Sequence, residues 1–282
     1  EDARRQAQAF GAAGLPCLLL MGARTLPEAR AAVLGAREAG LPVLLAMDLF
    51  GEGDTLAGGG DILSAFVVLQ ELGLAAFGFR AGVTGIALSA LERLQPYSRI
   101  PLLSISGDMA KALAPGDAEE LFARRAAGLA RLGVTMMGID GAGGDCLAAA
   151  ARALANAPPP AGDKINYLDR EEIWAADETQ VYYLDAAMEY SPPMACGRDM
   201  ADRILEMERE GWDALCIRAD TPEDGDSILQ NNAHLARLPV VFLSDHPAAL
   251  EAALRAYHGR AIVDSRSALD PRELGRIAAQ YG

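Results

Sequence analysis

Charged residues recur just after short apolar runs, which is where a βα architecture places its chemistry. Asp48 follows VLLAM (43–47), Arg80 follows AAFGF (75–79), Asp108 follows PLLSIS (101–106) and Asp140 follows VTMMGI (134–139). The later half offers Asp185 and Glu189 after VYYL (181–184), Arg218 and Asp220 after ALCI (214–217), Ser244 and Asp245 after VVFL (240–243), and Asp264, Ser265 and Ser267 after AIV (261–263). Asp48, Asp108 and Asp140 can together bind a hard cation such as Mg²⁺ through oxygen. Acidic residues after strands more commonly cap the next helix. Arg80 and Arg218 can clamp an anionic ligand or sit in plain ion pairs. The glycines of GAGG (141–144) can cradle a phosphate on backbone N–H groups, and a tight strand-to-helix turn needs the same residues.

The apolar runs, beginning with CLLLM (17–21), have the length of strands buried on both faces, as in a parallel sheet. The early ones recur about every 25–35 residues, the length of a βα unit. Between them Thr25-Leu26-Pro27-Glu28 reads as a capping box, and Asp117-Ala118-Glu119-Glu120 and Asp270-Pro271-Arg272-Glu273 read as further helix starts. The expected fold is α/β with TIM-type (βα) barrel architecture, as two partial barrels or one composite barrel. NAPPPAGDK (156–164) is the clear break, because three prolines end a helix and stiffen a connector. Residues 1–156 and 181–282 are then two (βα) segments, with 157–180 read as an irregular linker.

Of the 282 residues, 51% are hydrophobic, enough to bury a sizeable core. The net charge of -14 disfavours nucleic acid and anionic membranes as partners. No apolar run approaches the ~20 residues of a membrane span. Cys17, Cys146, Cys196 and Cys216 form no CxxC pair, so a reduced, cytoplasmic protein is expected, with Cys17 and Cys216 as small core residues. The chain starts at Glu1 rather than Met, so upstream sequence is expected. A partial barrel has open sheet edges that a partner half or a second chain must cover, so close packing between the halves or a homodimer is expected.

The stretch LLLMGARTLPEARAAVLGAREAGLPVLLAMDLFGEGDTLAGG, with LGLAAFGFRAG (72–82) and LARLGVTMMGIDGAGG (129–144), resembles the homocysteine S-methyltransferase barrel. GDTLAGG (53–59) is similar to that family's G-x-T-L-x-G turn. From residue 165 on, YLDREEIWAADETQVYYLDAAMEYSPP and ALRAYHGRAIVDSRS resemble the pterin-binding barrel of cobalamin-dependent methionine synthases. The resemblance implies one-carbon metabolism, with a small-molecule ligand or a corrinoid protein as partner.

It also implies ligands that this chain lacks. The family's first zinc cysteine falls on Ala81, its Cys-Cys pair on Asp140 and Gly141, and its strand-end glutamate on Met21, so zinc is not expected. Folate, as methyltetrahydrofolate, is the cofactor implied for the second half. There Asp220 and Glu189 match the family, whereas Cys216, Arg218, Leu243 and Asp264 stand where it has other residues, with Ser265 retained. The expectation is a methionine-synthase-like protein without zinc-thiolate chemistry, or a non-catalytic binding module.

Overall fold

The computed structural model describes residues 2–50, 55–82, 88–107, 113–114, 116–141, 143–155, 173–183 and 187–282. Asp108 and Asp185 lie outside these.

Five of the apolar runs form β1 (Leu18–Met21), β2 (Val43–Asp48), β3 (Ala76–Ala81), β4 (Leu102–Ser106) and β5 (Val134–Ile139). They pair in parallel in the order β1-β2-β3-β4-β5. Helices α1 (Asp2–Ala12), α2 (Leu26–Arg37), α3 (Ile62–Gln70), α4 (Leu88–Leu94) and α5 (Asp117–Arg131) precede or connect them, and α6 (Gly144–Ala155) follows β5. A second parallel sheet has the order β11-β10-β9-β8, from β8 (Met194–Ala195), β9 (Leu215–Arg218), β10 (Val240–Leu243) and β11 (Ile262–Val263). Helices α7 (Met200–Glu210), α8 (Asp224–Leu235) and α9 (Pro247–Ala256) join these strands, and α10 (Pro271–Tyr281) follows. Strand order follows chain order in both sheets. A doubly wound sheet reverses direction at a switch point, and neither sheet does. This is an α/β fold of TIM-type (βα) architecture, present as two open sheets among the described residues.

Local signals act as read. Thr25 accepts from the Glu28 amide while Glu28 accepts from the Thr25 amide, closing the capping box of α2. Asp270 caps α10. At α5 the cap is one residue earlier than read: Glu119 accepts from the Gly116 amide.

Three expectations are corrected. The run at 181 does not begin a buried parallel strand: β7 (Val181–Tyr183) pairs antiparallel with β6 (Ile173–Ala176), and β6 lies inside the stretch read as irregular linker. The hairpin is held by the buried Asp177, whose carboxylate accepts from the Thr179 and Gln180 amides, the Thr179 hydroxyl and the Tyr182 hydroxyl. This Asx-type turn brings two short strands back on themselves. Cys17 is exposed in the loop before β1 rather than part of the core.

The contacts divide the chain into two compact units, Glu1–Ile62 with Gly73–Arg170, and Leu63–Leu72 with Glu171–Gly282. Most of α3 therefore belongs with the second unit although its neighbours in the chain are β2 and β3. Every residue from Ile62 to Gln70 is buried, as expected for a helix apolar on nearly all sides. Ser64 donates to the Asp177 carbonyl.

One face of the first sheet carries the fully buried Leu45, Met47, Phe77 and Phe79, the two rings edge to face at 5.4 Å. Residues of the other face stand in rows fixed by the register: Met21, Ala46, Gly78, Leu103 and Met136 in one, and Asp48, Arg80, Ile105 and Gly138 in the next. Gly78 has no room for a side chain, since a Cβ there would lie 1.7 Å from the Leu103 carbonyl oxygen.

Two outcomes follow. Gly78→Ala must push β3 from β4 and lowers stability by about 2–3 kcal/mol in a denaturant titration; an unchanged midpoint contradicts the close approach. A protease site engineered at Pro158–Pro160 gives two fragments that co-elute after cleavage, because residues 63–72 of the first fragment belong to the second unit. Clean separation under native conditions contradicts that assignment.

Candidate functional site

The β2–β3 register places Asp48 beside Arg80 at the ends of their strands. Arg80 donates from Nε to Asp48 Oδ1 at 2.8 Å and from Nη2 to Asp48 Oδ2 at 2.7 Å. Its Nη1 donates to Asp140 Oδ2 at 3.0 Å. Asp140 is positioned by its own amide, which continues the β4–β5 ladder to the Ser106 carbonyl. The guanidinium thus spans from β2 to the end of β5. The side chains of Asp48, Arg80 and Asp140 are 18%, 33% and 44% exposed, so Asp48 is the partner held away from water. Hydrogen bonding to Asp48 raises the Arg80 pKa further, against the opposing effect of burial.

The loop after β2 is tied down from both sides. The Asp48 amide donates to the Ala23 carbonyl, the Asp48 carbonyl accepts from Ala57, and Gly58 donates to the Arg24 carbonyl. A Cβ on Gly58 would lie 2.4 Å from the Thr25 side chain, which explains a glycine in the GDTLAGG turn. The GAGG turn also has a backbone reason: Gly141 has φ 109°, and a Cβ on Gly143 would fall within 2.8 Å of the Ile139 side chain.

The strand ends of the second sheet hold a similar device. Arg218 donates from Nε to Asp220 Oδ1 at 2.8 Å and from Nη2 to Asp245 Oδ2 at 2.6 Å. The Ala268 amide, then Arg218, hold the Asp245 carboxyl below its usual range. Asp264 is buried and accepts from the Arg266 amide and guanidinium, and the guanidinium draws its pKa down against burial. Ser265 is exposed in the turn between them. Glu189 is not at this end. Its amide donates to Asp213 Oδ2 and its carbonyl accepts from the Asp213 amide, at the opposite end of β9. The physical reason is that VYY folds into the hairpin, so Glu189 does not follow a sheet strand.

The structure therefore brings Asp48, Arg80 and Asp140 together, and separately Arg218, Asp220 and Asp245, with each arginine in an ion pair. Asp48 and Asp140 pair with a cation of the chain itself rather than capping the next helix. Arg266 was not singled out from sequence; the Asp264-x-Arg266 spacing in a strand-end turn was its signal.

The donor set does not fit zinc. Among the described residues no group of three or more His, Cys, Asp or Glu side chains is arranged to hold a metal ion. Burial, then Glu119 and Asp145, raise the Cys146 thiol pKa. Burial, then Asp224 and Asp220, push Cys196 up to about 12. Burial, then Asp264, raise Cys216 despite Arg266 nearby. None of these thiols stands at Ala81, Asp140 or Gly141, where the resemblance would put zinc ligands. Of the residues the resemblance relates to a pterin site, Asp220 and Asp264 are bound to arginines, and Glu189 lies at the other end of β9.

No protein-family model matches the chain, and no curated protein matches it. Among solved structures, the apo homocysteine methyltransferase MmuM from Escherichia coli is similar at TM-score 0.39 and 16% identity, over 53% of this chain and 57% of that one. The likeness is weak and partial; the chain matches just over half of that enzyme's length. Among the described residues no helix is long and apolar enough to cross a membrane.

Arg80→Ala strips Asp48 of a two-pronged partner and costs about 1–2 kcal/mol, discounted for partial exposure. Arg80→Lys does not restore the loss, since an ammonium cannot match the fork. Equal stability of all three proteins contradicts the geometry. Asp264 has a lowered folded pKa, so its pairing with Arg266 stabilises above the unfolded value of about 3.8 and fades as pH falls through the folded one. Arg266→Ala should thus destabilise the chain at neutral pH and converge with the parent as pH falls below 3.8 and through the lowered folded value; a gap independent of pH contradicts it.

Proposed function

We propose that this chain is a divergent methionine-synthase-like protein of one-carbon metabolism that binds a ligand or partner and does not perform zinc-thiolate methyl transfer. The ancestry rests on the order of segments that resemble the homocysteine S-methyltransferase and pterin-binding barrels. The observation that carries the loss of chemistry is the Arg80 guanidinium bonded to Asp48 and Asp140 at the strand ends.

Activating a thiol substrate at neutral pH requires stabilising its thiolate, which zinc does as a Lewis acid. A guanidinium already bonded to two carboxylates offers far less. The group Asp48–Arg80–Asp140 carries a formal charge of -1, which opposes an incoming thiolate. What these strand ends retain is hydrogen-bonding capacity: a small polar ligand, or the surface of a corrinoid-bearing protein, can meet Asp140 where it is exposed.

The test is methionine formation from homocysteine with methyltetrahydrofolate or methylcobalamin, alongside calorimetry of methyltetrahydrofolate into the protein. No methionine at high protein load and no binding heat are expected. Turnover that disappears in Arg80→Ala overturns the proposal.

A further inference from the structure

Among the described residues no strand pairs beyond β1 or β5 in the first sheet: β1 pairs only with β2, and β5 only with β4. Native edge strands are usually blunted by charge, proline or short length. Here β1 is LLLM and β5 is VTMMGI, with no charge and no proline in either. Among the described residues of its five strands, the large apolar side chains exposed on the face bearing Arg80 lie on these two edges: Leu19 at 48%, Met21 at 43% and Met136 at 40%. The centre of the same face, Ala46, Leu103 and Ile105, is buried. Between lies a shallow cavity of about 130 Å³ lined by Leu19, Leu44, Leu103, Ile105, Met136 and Gly138. A face left bare at both edges lacks strands, since only a strand supplies backbone donors and acceptors in ladder register.

The matching strands are in the chain itself. The edges of the second sheet, β8 and β11, are two residues each, too short to pair along β1 or β5. β1 and β5 have four and six residues, are both apolar, and present opposite edges. We propose that a second copy of this chain completes the first sheet, β1 of one protomer lying against β5 of its partner. A twofold axis along the strands keeps every strand parallel. It makes both seams equivalent, so the assembly closes as a dimer instead of growing into a fibre. The seam sets Leu19 and Met21 of one copy beside Met136 of the other. The inference is independent of any ligand at the strand ends.

Sedimentation equilibrium of the full chain across the micromolar range tests it, with hydrogen exchange on β1 and β5. A molar mass of twice the 29.7 kDa chain is expected, with both edge strands more protected as concentration rises. Leu19→Lys and Met136→Lys, at sites half-exposed in the protomer, should each keep the circular dichroism spectrum and halve the mass. A monomer throughout the range overturns the proposal. So does a dimer that persists in Leu19→Lys combined with Met136→Lys.

Discussion

The fork of Arg80 on Asp48, with its third bond to Asp140, is the interaction on which the character of this protein depends. A guanidinium keeps its proton at any physiological pH. Placed at the ends of parallel strands, it supplies a fixed positive charge there. This charge is already spent. Three of its five N–H groups point at carboxylates of neighbouring strands, so the cation serves the sheet before it can serve a ligand.

The second unit arrives at the same solution with different parts. Arg80-Ala81 and Arg218-Ala219 are both arginine–alanine steps at a strand end, each with the alanine buried and the guanidinium partly exposed. In the first unit the carboxylates come from β2 and from beyond β5. In the second they come from two residues along the same loop and from the end of β10. A chain of net charge -14 has carboxylates to spare, so an arginine in such a place finds partners readily. Any ligand at either set of strand ends would have to compete with these pairs.

The parts of the fold legible in sequence were those set by local chemistry. VLLAM, PLLSIS and VVFL read as strands because short apolar runs between capped helices leave little else. The Thr25 capping box and the Asp270 cap needed only spacing. The hairpin β6–β7 escaped because its first strand, IWAA, follows an acidic stretch, and its turn depends on a buried Asp177 that looks like any surface acid in sequence. Glu189 was misplaced for the same reason. The site was legible in composition but not in partnership. Asp48, Arg80 and Asp140 could each be named from strand ends, yet their mutual bonding depends on register across four strands, which no local pattern encodes. The grouping of α3 with the second unit was likewise invisible, apart from the near absence of a polar face in ILSAFVVLQ.

The most direct measurement is the zinc content of the protein, purified without a metal-binding tag and after exposure to excess zinc and desalting. Elemental analysis should find far less than one zinc per chain, both for the parent and for Arg80→Ala, because removing the guanidinium restores no thiolates. One tightly held zinc per chain would contradict the account and return the strand ends to metal chemistry.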